Sequence, residues 1–388
     1  MRFTAFGDQG TGTASDAEST PFGAYVVDQV ESLEPAFHLH LGDLAYSNLH
    51  RGTDRGPAWD RFIDNNSRSA ANRPWMPALG NHEIDGGTGP QGYGAYLTRF
   101  ELPGNGSSKY AGHWYAFTAG SVRVIVTDAN DACYQDGGVD LYIRDYSAGA
   151  QLAWLEKELQ AARKSRATDW VVCVVHQLVC SSSLGGNGCD LGVRKAFQPL
   201  FDRYGVDLVL SGHDHDYERT FALRGTVPGS ATATPRVASD ALTEIDSTKG
   251  TVYMVLGGGG AAPTGPYDSD PSTGDPRARV IVAPKGSASA TEPAPWSAVR
   301  DPGWPFGFAA FDVDPGTGPG GQTRIDVTSY RTAAPGSGSG PAVLERFSLV
   351  RPRSDAPVKR RSSADHGHRH VHRAHARHPP HAEIRHEA

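Results

Sequence analysis

Seven nitrogen and oxygen donors stand where short apolar runs end, one run after another along the chain. Residues 3–6 lead into Gly7-Asp8-Gln9-Gly10, and residues 37–41 into Gly42-Asp43-Leu44-Ala45-Tyr46. Residues 75–79 lead into Gly80-Asn81-His82-Glu83, residues 170–175 into His176, and residues 207–210 into Ser211-Gly212-His213-Asp214-His215. A Gly-Asp-x-Gly after a strand is by itself an ordinary turn. His213 and His215 say more, because residues two apart in an extended segment point the same way. As a set, two Asp, one Tyr, one Asn and three His suit two hard-to-borderline cations held close together. A phenolate favours a trivalent ion such as Fe(III), and the neutral amide of Asn81 makes sense where neighbouring anions already supply charge. A bridging carboxylate would set such metals roughly 3.5–4 Å apart and let them activate a shared water.

Stepping between these clusters are helix-like patterns at 24–33, 93–100, 151–162 and 193–204. Strands alternating with helical segments read as an α/β sheet protein, in which ligands gather beyond the carboxyl ends of the strands. Residues 113–118 and 122–127 look like a further strand pair, consistent with a second sheet. From about 225 to 305 the composition shifts to Gly, Pro, Ala, Ser and Thr, which predicts surface insertions interrupted by one strand at 251–256. Residues 308–313, 324–330 and 344–350 alternate as closing strands. The expected organisation is one catalytic domain over 1–350 and a disordered His/Arg-rich tail over 351–388. Eight of the sixteen histidines lie in that tail. The bland reading of the tail is a solvated extension, and the sharper one is metal collection by neutral imidazoles.

With 37 basic and 43 acidic residues the formal charge is −6, which argues against a nucleic-acid scaffold-binding protein. No apolar run approaches the roughly 20 residues that span a bilayer. Residues 1–6 carry no signal-peptide pattern and read directly as strand. Cys173, inside a valine run, reads as a core thiol, and Cys180 and Cys189 flank a Ser/Gly loop that they could close into a ring. His38, His40 and His113 read as scaffold.

The constellation resembles the calcineurin-like metallophosphoesterases and, within them, the purple acid phosphatases, whose pattern is GDxG, GDxxY, GNHE, VxxH and GHxHxYxR. Four of the five motifs are complete and in order, the last running from Gly212 to Arg219, and the remaining one, VxxH, has Cys173 where the family has valine. The resemblance implies two stacked mixed β-sheets flanked by helices, a four-layer α/β sandwich. It implies one metal, Fe(III), held by Asp8, Asp43, Tyr46 and His215. A second, Zn, Mn or Fe(II), would be held by Asp43, Asn81, His176 and His213, with Asp43 bridging. His82 resembles the family histidine that contacts substrate, and Tyr217 and Arg219 read as scaffold. The implied activity is hydrolysis of small-molecule phosphate monoesters by in-line attack of hydroxide, and the family implies an extracellular or secreted protein. The alternatives are a phosphodiesterase or nucleotide pyrophosphatase of the same superfamily, or a metal-binding protein acting through its tail. Family members commonly carry another histidine after VxxH, whereas none occurs here between His176 and His213. Leaving-group protonation then rests on His82 alone.

Overall fold

The computed structural model describes residues 1–50, 55–135, 141–183, 186–263, 272–301 and 305–355. The valine runs explain how two sheets stack. Val122, Val124, Val172 and Val174 point into one cluster with Leu208 and Leu210, and there they meet Phe3, Leu39 and Phe311 of the other sheet. Their alternate neighbours Ile125, Val171, Cys173 and Val209 face the opposite way, under Leu155, Leu159, Phe197 and Phe201 of the helices Ala150–Lys164 and Leu191–Tyr204. Period-two alternation in strands buried on both faces therefore yields a sheet–sheet core and a sheet–helix core from one segment. Slipping any of these strands by one residue would exchange its two faces.

Among the described residues two seven-stranded mixed sheets result. In the first, Arg2–Phe6 lies between the antiparallel Gly307–Asp314 and the parallel His38–His40, which is followed by the parallel Trp75–Pro77. In the second, Val122–Val126, Trp170–Val174, Leu208–Ser211 and Val252–Leu256 run parallel, with Tyr217–Thr220 antiparallel beside the last. The helix Phe22–Glu31 covers the outer face of the first sheet through Val26, Val27 and Val30 against Phe6 and Phe308. The expected four-layer arrangement is the one observed.

Parallel pairing sets the strand ends level. Phe6 pairs with His40 and His40 with Pro77, so the loops that follow emerge side by side. Val174 pairs with Leu210 and Val255 with Ser211, which does the same in the second sheet. Two backbone hydrogen bonds then staple the sheets at this edge, Gly7 N–H to Leu256 O and Gly259 N–H to Gly7 O, each 2.9 Å.

Three expectations change. The pattern at 93–100 forms a helix only over Gly94–Leu97. A helix at Gly56–Ala70 went unread because its buried side carries Asn66 and Ser69 beside Trp59 and Phe62, which blurs the apolar period. The 225–305 stretch is more regular than its composition suggests: Ala222–Thr226 pairs with Pro235–Ser239, and Arg277–Ile281 pairs with both Ser289–Pro293 and Cys189–Asp190. Buried Ala278, Val280 and Trp296 anchor these pairs to the helix-covered face, so a few apolar residues suffice in a polar segment. The last strand, Ala342–Pro352, is followed by Ser354, whose N–H and Oγ both bond Asp169 at 2.7 Å. The tail histidines lie outside the described residues. No helix among the described residues is long and apolar enough to cross a membrane.

His38 and His40 are scaffold, as expected. They are fully buried beside Phe6 and Trp75, with His38 Nδ1 2.9 Å from Thr4 Oγ1 and His40 Nε2 3.2 Å from Gln9 Oε1. Burial, reinforced by the charge of His176, pushes the His40 pKa down to about 3 from an ordinary 6.5. Its folded pKa is thus depressed, so its contribution to stability is complete above pH 6.5 and is lost as pH falls towards 3. We expect a Tm that declines across that window, and a shallower decline in His40→Gln, read by thermal melts at pH 7, 6, 5 and 4. An equally steep acid limb in the variant would assign it elsewhere.

Candidate metal centre

At the stapled edge the chain turns sharply enough to put non-glycine residues in the left-handed region. Asp8 (φ 60°), Asp43 (φ 52°), Tyr46 (φ 52°) and His213 (φ 73°) all lie there. Such conformations cost of order 1–3 kcal/mol each and persist where surrounding structure over-determines them. The motif glycines supply the close approach. A Cβ on Gly80 would overlap the Asp43 carboxylate, and one on Gly212 would overlap Asp8. Glu83 adds the clamp: its carboxylate accepts from Asp43 N at 2.9 Å, Leu44 N at 2.8 Å and Gly80 N at 2.7 Å, tying two motif loops together.

All seven sequence-predicted donors converge here, and all are buried. In one group, Tyr46 Oη is 3.0 Å from His215 Nε2 and 3.4 Å from Asp8 Oδ1, and His215 Nε2 is 3.4 Å from Asp8 Oδ1. In the other, His176 Nε2 is 3.1 Å from Asp43 Oδ2 and 3.2 Å from Asn81 Oδ1. Ligand atoms of Asp43, His176 and His213 lie within 4.8 Å of one another. The imidazoles are oriented from behind. His176 Nδ1 donates to Leu41 O at 2.7 Å and His215 Nδ1 donates to Ala262 O, so each turns Nε2 inward. His213 Nδ1 is buried with no partner among the described residues. A nitrogen left so in a polar cluster is expensive unless something binds it.

Charge makes the same point. Burial raises the Asp8 pKa, and the nearby Asp43 adds to the rise. Burial would also raise Asp43, but the surrounding imidazoles, His176 first, outweigh it and hold the group far below the ordinary carboxylate range. Burial would lower His176, yet Asp43 and Asp8 overcome it and raise that histidine to about 10. The carboxylates therefore demand positive charge at this spot, which a cation can supply in place of the histidine protons. The donor set fits two such ions.

His82 lies beside the donors and is only partly buried. Its Nδ1 is 3.0 Å from Asn48 Oδ1, whose amide nitrogen is spent on Ile84 O at 3.2 Å, so His82 carries hydrogen on Nδ1 and presents Nε2. Its ring lies 4.4 Å from that of Tyr46. Sequence reasoning missed Asn48, which follows the Tyr46 motif without belonging to it. Tyr217 and Arg219 are scaffold: both bond Glu345, and the guanidinium stacks on Phe347. The ring between Cys180 and Cys189 does not form, and all four cysteines are free. Both thiols pack into the helix-covered core, and Cys189 Sγ bonds the backbone of Ser181 instead. After His176, Ser181 and Ser182 are held through their hydroxyls, with Ser181 Oγ 2.5 Å from Asp214 Oδ2 and Ser182 Oγ 2.5 Å from Glu218 Oε2.

Residues 1–217 match the calcineurin-like phosphoesterase family model. An uncharacterised protein of Mycobacterium tuberculosis is 46% identical over 376 residues, covering 91% of this chain and 68% of its own length. The Fe(3+)-Zn(2+) purple acid phosphatase 12 of Arabidopsis thaliana is 32% identical over 189 residues, 47% of this chain and 36% of its own. A purple acid phosphatase from yellow lupin (Lupinus luteus) seeds superimposes with TM-score 0.61 at 21% identity, over 94% of this chain and 57% of that one. At that identity the lupin structure speaks to the fold. The chain spans little more than a third of the Arabidopsis relative's length.

The Glu83 clamp is open to test. Glu83→Gln keeps the shape but replaces one acceptor oxygen by a donor that faces backbone N–H groups. A destabilisation of about 1–3 kcal/mol for each buried donor left unpaired is expected in urea titration. A variant as stable as the parent would show that the clamp contributes nothing.

Proposed function

The chain belongs to the calcineurin-like phosphoesterase family, and from that premise we propose that it hydrolyses phosphate monoesters at this centre. The observation that carries the reading is the convergence of all seven donors, with His213 Nδ1 buried and free to bind. Asp8, Asp43, Tyr46 and His215 would hold one metal, and Asp43, Asn81, His176 and His213 the other, with Asp43 common to both. Tyr46 makes Fe(III) the choice for the first site, and the Fe(3+)-Zn(2+) name of the Arabidopsis relative supports Zn for the second. When bound, such ions polarise phosphoryl oxygens and make hydroxide available near neutral pH.

The protein's own part is positioning and proton supply. Left-handed turns and motif glycines hold the donors on rigid strand ends, and the buried surroundings exclude bulk water. A leaving alkoxide needs a proton, and His82 is placed to give it from Nε2 while Asn48 holds Nδ1–H. Burial lowers the His82 pKa, which makes its protonated form a stronger acid towards a leaving alkoxide. Side-by-side rates on p-nitrophenyl phosphate and its bis ester test the substrate class. We expect the monoester to be turned over faster, and the reverse order would make the chain a diesterase.

His82→Ala should lower kcat far more for alkyl than for activated aryl phosphates, because only the alkoxide depends strongly on a proton donor. A loss of 10²–10⁴-fold is the order expected of a missing general acid. Equal losses on both ester classes, measured under saturating substrate, would remove His82 from that role.

A further inference from the structure

Gln135 belongs to no motif, yet its side chain touches a metal-site histidine. It lies on the segment after the strand Val122–Val126, and its Oε1 meets His213 Nε2. Every other polar atom of His213 except Nδ1 is also engaged. Its N–H donates to Asp8 Oδ2 at 2.9 Å, and its carbonyl accepts from Asn187 Nδ2 at 2.8 Å. Only Nδ1 is left, buried and unpartnered among the described residues.

The direction of the Gln135–His213 bond follows from the far end of the glutamine. Gln135 Nε2 donates to Asn187 O at 3.3 Å, and a carbonyl can only accept. Oε1 must then be the end that faces His213, and an amide oxygen can only accept as well. His213 Nε2 therefore carries the hydrogen, and the lone pair is on Nδ1. Asp190 fixes the glutamine in turn. Its carboxylate accepts from Tyr134 N at 2.8 Å and Gln135 N at 2.9 Å, while capping the helix Leu191–Tyr204 through Val193 N at 3.0 Å.

We propose that Gln135 is a positioning residue that sets the tautomer and ring orientation of His213, so that Nδ1 is the atom offered to the metal. The inference rests on the metal-centre reading above. Partners behind a ligating histidine typically change metal affinity 10–100-fold when removed.

The test uses the full chain reconstituted with Zn(II). In chelator competition the parent should bind two Zn(II). Gln135→Leu should hold one of them 10–100-fold more weakly, and Gln135→Glu, which keeps an acceptor oxygen, should restore most of that loss. A parent binding two Zn(II) with Gln135→Leu binding both equally well overturns the inference alone. A parent binding fewer than two overturns the metal-centre reading and the inference with it. Should Gln135→Leu fail to fold, long-range ¹⁵N spectra of the histidine-labelled, Zn(II)-loaded parent decide. Metallated Nδ1 and protonated Nε2 on His213 are expected, and metallated Nε2 overturns the proposal.

Discussion

Asp8 and Asp43 are two carboxylates taken out of water within one cluster, and the rest of the site answers to that fact. A buried anion is tolerated only when hydrogen-bonded and matched by positive charge. Asp8 accepts the His213 N–H, Asp43 accepts the His82 N–H, and both face imidazoles. The loops that carry them cannot relax outward, because Glu83 grips one pair of loops and the backbone bonds of Gly7 join the two sheets. A site that concentrates negative charge so rigidly is prepared for cations, and cations so held are prepared for phosphate.

The sheets supply this rigidity cheaply in sequence terms. Alternating valines in strands buried on both faces fix register, and register fixes which strand ends lie level. That logic is legible in the sequence: the runs 122–127, 170–175 and 207–210 all form strands, and the donor clusters read after the last two lie at strand ends. All seven donors converge as their positions at strand ends implied, and His38 and His40 take the scaffold role their alternation indicated.

What stayed hidden was hidden for physical reasons. The helix Gly56–Ala70 turns Asn66 inward, where its amide bonds Gln9, so its buried side does not look apolar. The hairpins within 225–305 rest on isolated buried residues such as Val280 and Trp296, too few to give a period. Cys180 and Cys189 flank a Ser/Gly loop that they could have closed into a ring, but each instead fills the core. Asn48 and Gln135 act through hydrogen bonds to His82 and His213 across 34 and 78 residues of chain, a relation that no local pattern encodes. The missing histidine after His176 was legible, whereas the bonds of the Ser181 and Ser182 hydroxyls to Asp214 and Glu218 were not.

The central claim is that these strand-end donors hold two metals, one of them bound to a tyrosinate. Metal content and visible spectrum of one active preparation test it most directly. Two metals per chain, iron among them, with a visible tyrosinate-to-iron band that disappears in Tyr46→Phe, is the result the account predicts. Full phosphatase activity from a chain holding a single metal would contradict it.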